Sequence, residues 1–216
     1  MTADISGLQR LLESYWDSAE PARGEVRERV WAEYGGLGAV LITDMSRFSR
    51  LTREMGIVHY LAMIRRTQRI MSPLVRSHGG EVVKFMADNC YSLFPDVPEA
   101  LEAALAMTAA AEAECPPDSG EPPLEICSGL DWGRVLLVCA GGPEGAVCDY
   151  FGDPVNIASK LGEDLAGPGE ILVARRAFGR VPPDRRPACT RRKFTVSGLE
   201  INALSISAGV EGGQCE

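Results

Sequence analysis

Hydrophobic positions recur with a helical period at the start of the chain. They lie three or four residues apart within the first 36 residues, and Pro21–Gly24 interrupts them. This spacing predicts two amphipathic helices. Gly35 and Gly36 follow, and glycine is typical of the position just beyond a helix end. We therefore predict an N-terminal helical arm over residues 1–36, with an apolar face made of Leu8, Leu11, Leu12, Tyr15, Trp16, Val26, Val30, Trp31 and Tyr34.

From Leu37 onward, short apolar runs alternate with helical stripes. The runs predict strands at 39–44, on both sides of Asp88 within 79–94, and at 124–130, 134–140, 146–151, 170–174, 194–196 and 200–207. The stripes predict a long helix over 57–75 with Ile57, Tyr60 and Leu61 on its apolar face, an alanine-rich helix that ends at Glu114, a helix from Gly152 to Leu165 and a short helix at 175–179. Loops or turns are predicted at 115–123, 131–133 and 141–145, where proline, glycine and aspartate concentrate.

This order of elements predicts an α+β fold in which helices pack against one sheet. The folded domain would cover residues 37–207. Residues 208–216 contain three glycines and no hydrophobic stripe, so we expect a disordered tail.

Composition narrows the class of protein. The chain has 216 residues, 45% of them hydrophobic, which fits one domain with a modest extension. A net charge of −8 argues against a nucleic-acid partner. The seven cysteines are scattered without a CxxC pair, so neither a zinc site nor a disulfide framework is expected. No apolar run approaches membrane-spanning length, so we expect no membrane partner and a cytoplasmic location.

Two acids stand where a predicted strand meets a turn. Asp44 ends the first strand, and Asp88 lies between the next two. Magnesium uses a few carboxylates together with substrate phosphates, so two such acids suffice to hold a pair of divalent cations. Two other interpretations stay open for the isolated residues: Asp44 as a helix cap, and Asp88 as a turn residue with Asn89.

Three segments together resemble a known family. Asp44–Ser49, His78–Asp88 and Asp149–Lys160, in this order, are similar to the motifs of the class III adenylate/guanylate cyclase catalytic domain. The resemblance extends from Leu37 to Ser207. It implies a ferredoxin-like core of the βααββαβ type and a homodimer with shared active sites. It also implies two Mg²⁺ or Mn²⁺ ions and conversion of a nucleoside triphosphate to its 3′,5′-cyclic monophosphate with release of pyrophosphate.

By position in these motifs, the resemblance assigns roles to single residues. Asp44 and Asp88 would be the metal ligands. Lys84 and Asp149 match the pair that contacts the purine edge, in the version that specifies adenine, which implies ATP as substrate and cAMP as product.

The remaining roles concern the ribose and the phosphates. Asn156 matches the residue that orients the ribose, and Lys160 stands where the family usually has an arginine that stabilises charge in the transition state. These two are four residues apart on one predicted helix, so both would point the same way. The loop after the first metal ligand would approach the phosphates; it consists of Met45, Ser46, Arg47, Phe48 and Ser49.

Three residues depart from the family pattern. Arg47 and Ala87 replace glycines, and Lys160 replaces the arginine. Alanine is strained where a positive φ is needed, and lysine lacks the planar fork of arginine. The sequence is therefore compatible with three hypotheses. The first is an active homodimeric cyclase, which the retained metal acids favour. The others are a degenerate module that dimerises and binds nucleotide, and an active cyclase with another base preference.

Overall fold

The structure, a computed structural model, describes residues 5–46, 48–114, 123–140 and 147–207, with the backbone alone at residues 48–51. The predicted turn at 141–145 and the tail at 208–216 lie outside the described residues, as does all but the last residue of the predicted loop at 115–123. No helix in these ranges is both long enough and apolar enough to cross a membrane.

The helices are α1 (Ile5–Asp17), α2 (Ala22–Tyr34), α3 (Phe48–Met55), α4 (Ile57–Ser77), α5 (Val97–Glu114), α6 (Asp153–Ser159) and α7 (Arg175–Phe178). A π-helical segment (Lys160–Leu165) continues α6, and a short 3₁₀ turn covers Pro183–Arg185. The strands are β1 (Gly35–Met45), β2 (Glu81–Met86), β3 (Asn89–Phe94), β4 (Ile126–Ala140), β5 (Val147–Phe151), β6 (Glu170–Ala174), β7 (Thr190–Val196) and β8 (Leu199–Ser207).

The eight described strands form one sheet. Its order is β2-β3-β1-β4-β6-β8-β7, and β5 pairs with the second half of β4. β4 and β6 run parallel, and every other described pair is antiparallel. The predicted α+β fold with helices packed on one sheet is confirmed.

Alternate residues of β1 face the two layers of the core, as the pleat of a strand requires. Ala39 and Leu41 belong to the main core, which α4 and α5 cover. Val40 and Ile42 lie on the opposite face with Ala158 of α6. The arm has a hydrophobic cluster of its own, apart from the main core, in which side chains of α1 and α2 bury Val138 of β4.

The prediction of two strands and a turn between residues 124 and 140 was wrong. β4 runs unbroken through Asp131-Trp132-Gly133, which pair with Val40, Ala39 and Gly38 of β1. Tertiary contacts override the local turn preference of aspartate and glycine. The Asp131 carboxylate is fully buried and accepts hydrogen bonds from Arg176 Nε at 2.8 and 3.1 Å. At Gly133, a Cβ would lie 3.1 Å from Pro154 Cγ.

Helical stripes in the sequence are wider than the faces that the structure buries. Leu12 and Trp16 of α1 are exposed, as are Ile57 and Leu61 of α4, although we predicted all four on apolar faces. Helix boundaries also differ in part. Gly56 (φ +84°) separates α3 from α4. α2 ends at Tyr34, so the helix stop predicted at Gly35 and Gly36 is confirmed; these two glycines also begin β1, which we predicted from residue 39.

The expectation of no disulfide was wrong for one pair. Cys139 and Cys148 are bonded and are direct partners across β4 and β5. They are nine residues apart in the chain, so only the hairpin that β4 and β5 form brings them together. Of the described cysteines, Cys90, Cys127 and Cys189 are buried and lie outside the disulfide bond. Cys115 and Cys215 lie outside the described residues.

Two glycines let the segment after β5 lie directly on the sheet. A Cβ at Gly129 of β4 would lie 2.0 Å from the Ala158 carbonyl oxygen and 2.4 Å from the Gly162 nitrogen. A Cβ at Gly162 would lie 2.8 Å from both the Gly129 nitrogen and the Ile42 carbonyl oxygen. All four distances are to backbone atoms, so no side-chain rotation can make room. Glycine at these two positions therefore sets the spacing between α6, its π-helical continuation and the sheet.

We predict that Gly129→Ala destabilises the fold, because the added methyl group must push α6 away from β4. The expected loss in the free energy of unfolding is about 1–3 kcal/mol, typical of an overpacked core. Urea denaturation would measure it. Gly36→Ala is the matched control in β1, where a Cβ would meet nothing within 4 Å. Equal stability of the two variants would contradict the proposed packing constraint.

Candidate active site

Asp44 and Asp88 lie together at one end of the sheet. Asp44 is the penultimate residue of β1, and Asp88 is in the turn between β2 and β3. Because Thr43 pairs with Cys90, this turn lies beside the end of β1. The pKa of Asp44 is raised to about 7, first by burial and then by the charge of Asp88 and a hydrogen bond with its carboxyl group. The structure therefore places the two predicted metal ligands side by side.

This acidic pair fits divalent cations. Two adjacent, partly buried carboxylates repel each other, and a bound cation would relieve that repulsion. Within the described ranges, no group of three or more His, Cys, Asp or Glu side chains could enclose a metal. Two carboxylates supply only part of the coordination of Mg²⁺, which commonly binds water and phosphate oxygens at its remaining positions.

Two features of the turn around Asp88 affect its geometry. Ala87 has φ +52°, so the position does require the left-handed conformation in which alanine is strained and glycine is not. Tyr60 of α4 is buried, and its hydroxyl group lies against Asp88: burial, then the Asp88 carboxylate, raise the pKa of Tyr60. We predicted Tyr60 on the apolar face of its helix and missed this contact. A buried tyrosine hydroxyl usually needs a polar partner, which was the available signal.

Lys84 and Asp149 form an ion pair between two strands that are not sheet neighbours. Lys84 Nζ lies 2.8 Å from Asp149 Oδ1, and the Tyr150 N–H donates to the same oxygen at 2.8 Å. The β2–β3 register shifts between Val82 and Lys84, and such a bulge re-aims the side chains that follow it. The structure thus brings together the two residues predicted to contact the purine.

Tyr91 contacts Lys84, and we did not predict it as a site residue. It is the register partner of Lys84 in β3, and Lys84 Nζ lies 4.8 Å from its ring centroid. The Tyr91 hydroxyl donates to Glu163 Oε1 at 2.9 Å. Burial raises the pKa of Tyr91 to about 12; Glu163 adds to the shift and Asn89 opposes it. The phenol therefore remains a hydrogen-bond donor at neutral pH.

Asn156 and Lys160 lie on α6 and at the first position of its π-helical continuation. Asn156 is exposed. Lys160 Nζ lies 3.5 Å from Ser197 Oγ in the turn between β7 and β8. No hydrogen bond or ion pair among the described residues links either side chain to the acidic pair or to Lys84.

Arg176 of α7 holds the beginning of α6. Its guanidinium bonds the buried Asp131 of β4 and also pairs with Asp153, the first residue of α6, at 2.6 Å. Burial raises the pKa of Asp131, and the hydrogen bonds from Arg176 oppose that shift. Arg176 therefore neutralises a buried carboxylate and ties three elements together.

The predicted phosphate loop is only partly described. The Met45 side chain is buried and its sulfur accepts a hydrogen bond from Thr67 Oγ1 at 3.4 Å, so this side chain faces the core. The Ser46 N–H donates to the Glu125 carbonyl oxygen at 2.9 Å. Arg47 and the side chains of Phe48 and Ser49 lie outside the described residues.

The chain matches the family model of the adenylate and guanylate cyclase catalytic domain over residues 35–201. It therefore belongs to that family, and the resemblance found in the sequence is confirmed. An uncharacterized protein of Mycobacterium tuberculosis (strain ATCC 25618 / H37Rv) is 28% identical over 162 residues, which are 75% of this chain and 38% of that protein. The chain thus spans well under half the length of this curated relative.

Solved structures share the fold. The guanylyl cyclase Cya2 superimposes with a TM-score of 0.70 at 17% identity, covering 84% of this chain and 98% of that one. The adenylyl cyclase CyaB from P. aeruginosa gives 0.68 at 21% identity, covering 83% and 99%. One is named for each purine, so the fold does not decide the base.

We predict that Asp44→Asn stabilises the metal-free protein at high pH. The pKa of Asp44 rises from its ordinary value of 3.8 to about 7 on folding, so the folded state binds an extra proton between these values. The free energy of unfolding of the wild type should therefore fall as pH rises from about 4 to 7. Asparagine does not ionise, so the variant should not lose stability over this range.

Thermal unfolding in EDTA from pH 4 to 8.5 measures this effect. The variant should melt a few degrees above wild type at pH 8 and level with it at pH 4. Asp184→Asn, at an exposed carboxylate, is the control. Identical melting of Asp44→Asn and wild type at pH 8 would show that Asp44 is not held beside another negative charge.

Proposed function

We propose that the chain is a nucleotidyl cyclase that converts ATP to 3′,5′-cyclic AMP and pyrophosphate. The observation that carries the proposal is the juxtaposition of Asp44 and Asp88 at the end of β1, in a domain of the cyclase family. In this reaction the ribose 3′-oxygen bonds to the α-phosphorus and the bond to pyrophosphate breaks. The proton of the 3′-hydroxyl leaves, and negative charge grows on the phosphate oxygens.

The chain supplies groups suited to each part of this chemistry. Asp44 and Asp88 would hold two divalent cations, which when bound would activate the hydroxyl group and neutralise the leaving oxygens. The Asn156 amide would hydrogen-bond the ribose and fix the direction of attack. The Lys160 ammonium group would stand beside the charge that develops on the phosphate.

The Lys84–Asp149 pair supports adenine as the base. The Watson–Crick edge of adenine offers an acceptor at N1 and a donor at N6, which complement an ammonium donor and a carboxylate acceptor. Guanine presents a donor at N1 and an acceptor at O6, the reverse pattern. A site built for one pattern leaves its polar groups unpaired with the other. ATP is therefore the proposed substrate.

A homodimer with shared active sites agrees with the surface of the single chain. Large apolar side chains are exposed on α4 and at the end of β2, namely Ile57, Val58, Leu61 and Met86. Exposed apolar clusters commonly mark interfaces. We propose that a second copy covers them and completes each site, because the acidic pair has no bond to Lys84, Asn156 or Lys160 among the described residues.

A second candidate is a dimerising module that binds nucleotide without turning it over. Two observations favour it. The positive φ of Ala87 strains the turn that carries Asp88, and the Ser46 N–H is occupied by a backbone carbonyl group instead of being available to a phosphate. A cyclase with another base preference uses the same site and is separated from the first proposal by its product.

We predict a cyclic product from ATP that depends on Asp44. Purified protein is incubated with ATP, GTP, CTP or UTP and with Mg²⁺ or Mn²⁺, and products are identified by chromatography and mass spectrometry. ATP should give 3′,5′-cyclic AMP and pyrophosphate, and Asp44→Ala should abolish both. Asp184→Ala should retain wild-type turnover. A folded dimer that binds ATP but forms no product with either metal would support the second candidate.

We predict that Lys84→Ala changes base selectivity more than it changes turnover. The variant loses a charged hydrogen-bond donor to adenine N1, so the ratio of kcat/KM for ATP to that for GTP should fall about tenfold. Lys193→Ala is the matched control, because Lys193 also pairs with a carboxylate at 2.8 Å but lies on β7, at the opposite edge of the sheet. An unchanged ratio in Lys84→Ala would remove Lys84 from the base site.

A further inference from the structure

Tyr91 lies under the Lys84–Asp149 pair and connects it to the helix on the same face of the sheet. Lys84, Tyr91, Ile42 and Gly129 are register partners across β2, β3, β1 and β4. Their side chains therefore share one face, and Gly129 is where the backbone after α6 touches that face. Tyr91 is thus placed between the ion pair and the segment that contains Lys160.

The ring of Tyr91 contacts the Lys84–Asp149 ion pair and helps to fix its position. Lys84 Nζ lies 4.8 Å from the ring centroid and 2.8 Å from Asp149 Oδ1, so two groups locate the ammonium ion. The ring centroid of Tyr150 lies 6.3 Å from that of Tyr91, with the planes tilted by 56°. The Tyr150 backbone in turn holds Asp149. Tyr91 therefore supports Lys84 by direct contact and supports Asp149 through Tyr150.

The hydroxyl group of Tyr91 reaches a different element. It donates to Glu163 Oε1 at 2.9 Å, and Glu163 is in the π-helical segment that Lys160 begins. A π-helical turn changes the direction of the side chains that follow it, and such turns are frequent at functional sites. The Tyr91–Glu163 bond is therefore a direct side-chain link between β3 and the segment that continues α6.

We propose that Tyr91 and Glu163 are positioning residues that fix the Lys84–Asp149 pair relative to Asn156 and Lys160, and thereby determine base selectivity and turnover. The inference rests on the proposed function, because it assigns a consequence to the placement of residues that bind the nucleotide. Neither residue needs to touch substrate. The ring controls where the ammonium donor stands, and the hydroxyl group controls where the helix stands with respect to the base.

This division of roles predicts different effects for ring and hydroxyl group. Tyr91→Phe keeps the ring under Lys84 and loses the bond to Glu163, so kcat for ATP should fall about tenfold with little change in KM or in selectivity. Tyr91→Leu also loses the ring, and the ATP-to-GTP ratio of kcat/KM should fall a further 3- to 30-fold, roughly the value of a cation–π contact. Glu163→Gln keeps an acceptor and should rescue most of the kcat that Glu163→Ala loses.

A double-mutant cycle of Tyr91→Phe and Glu163→Ala tests whether the two residues act through their bond. The double variant should be about as slow as either single variant, because both remove the same interaction. Tyr15→Phe is the matched control: this tyrosine also lies near a cation, 5.5 Å from the Arg23 guanidinium carbon, but packs against the separate hydrophobic cluster of the arm. Thermal melting of every variant distinguishes a loss of folding from a displacement of site residues in a folded protein.

Equilibrium dialysis with ATP and with GTP gives a second readout that needs no turnover. An active wild type whose Tyr91→Phe and Tyr91→Leu variants keep rate, selectivity and relative affinity would overturn this inference alone. Additive losses in the cycle would overturn the role of the bond. A wild type that binds nucleotide without converting it would refute the proposed cyclase activity. The positioning role of Tyr91 would then be tested by the ratio of ATP to GTP affinity in Tyr91→Leu, and an unchanged ratio would overturn it. A wild type that neither binds nor converts any nucleotide overturns both proposals.

Discussion

The contact between Gly129 and Gly162 is the constraint on which the arrangement of the candidate site depends. Backbone meets backbone there and at the Ala158 carbonyl group of α6, so the helix that contains Asn156 and its π-helical continuation lie close against β4 and β1. Arg176 secures the same helix at its first residue by pairing with Asp153 and with the buried Asp131. One end of the helix is thus held by steric fit and the other by charge, which leaves it little freedom to tilt over the sheet.

The sheet supports two sites of opposite electrostatic character. At the end of β1, two carboxylates are placed together without a positive partner among the described residues, so the folded chain stores repulsion that a cation can relieve. Toward the β2 edge, Lys84 and Asp149 neutralise each other across strands that are not hydrogen-bonded neighbours. The first arrangement favours binding of positive ions, and the second favours a neutral ligand with both a donor and an acceptor.

Local sequence predicted elements well where one preference dominated, as in the alanine-rich α5 and the apolar run Ala39–Ile42 of β1. The pairing of Asp44 with Asp88 could also be predicted from the sequence, because each acid follows an apolar run that predicts a strand. The unbroken course of β4 could not be predicted, because the burial of the Asp131 carboxylate depends on its bond to Arg176, 45 residues later in the chain. The Tyr91–Glu163 bond joins residues 72 apart, and nothing local distinguishes this tyrosine from an ordinary core aromatic. Leu12 and Ile57 fit their helical stripes, but both side chains are exposed in the structure.

The ion pair between Lys84 and Asp149 has a consequence for recognition. If Lys84 and Asp149 bind the base as we propose, the base must displace an existing ion pair, because Lys84 Nζ and Asp149 Oδ1 already lie 2.8 Å apart. Under the proposed role of the pair, a base that satisfied the ammonium group alone, or the carboxylate alone, would leave the other group with an unpaired charge. Under the proposed function, discrimination between bases would then arise from what an incoming base must displace as well as from what it contacts.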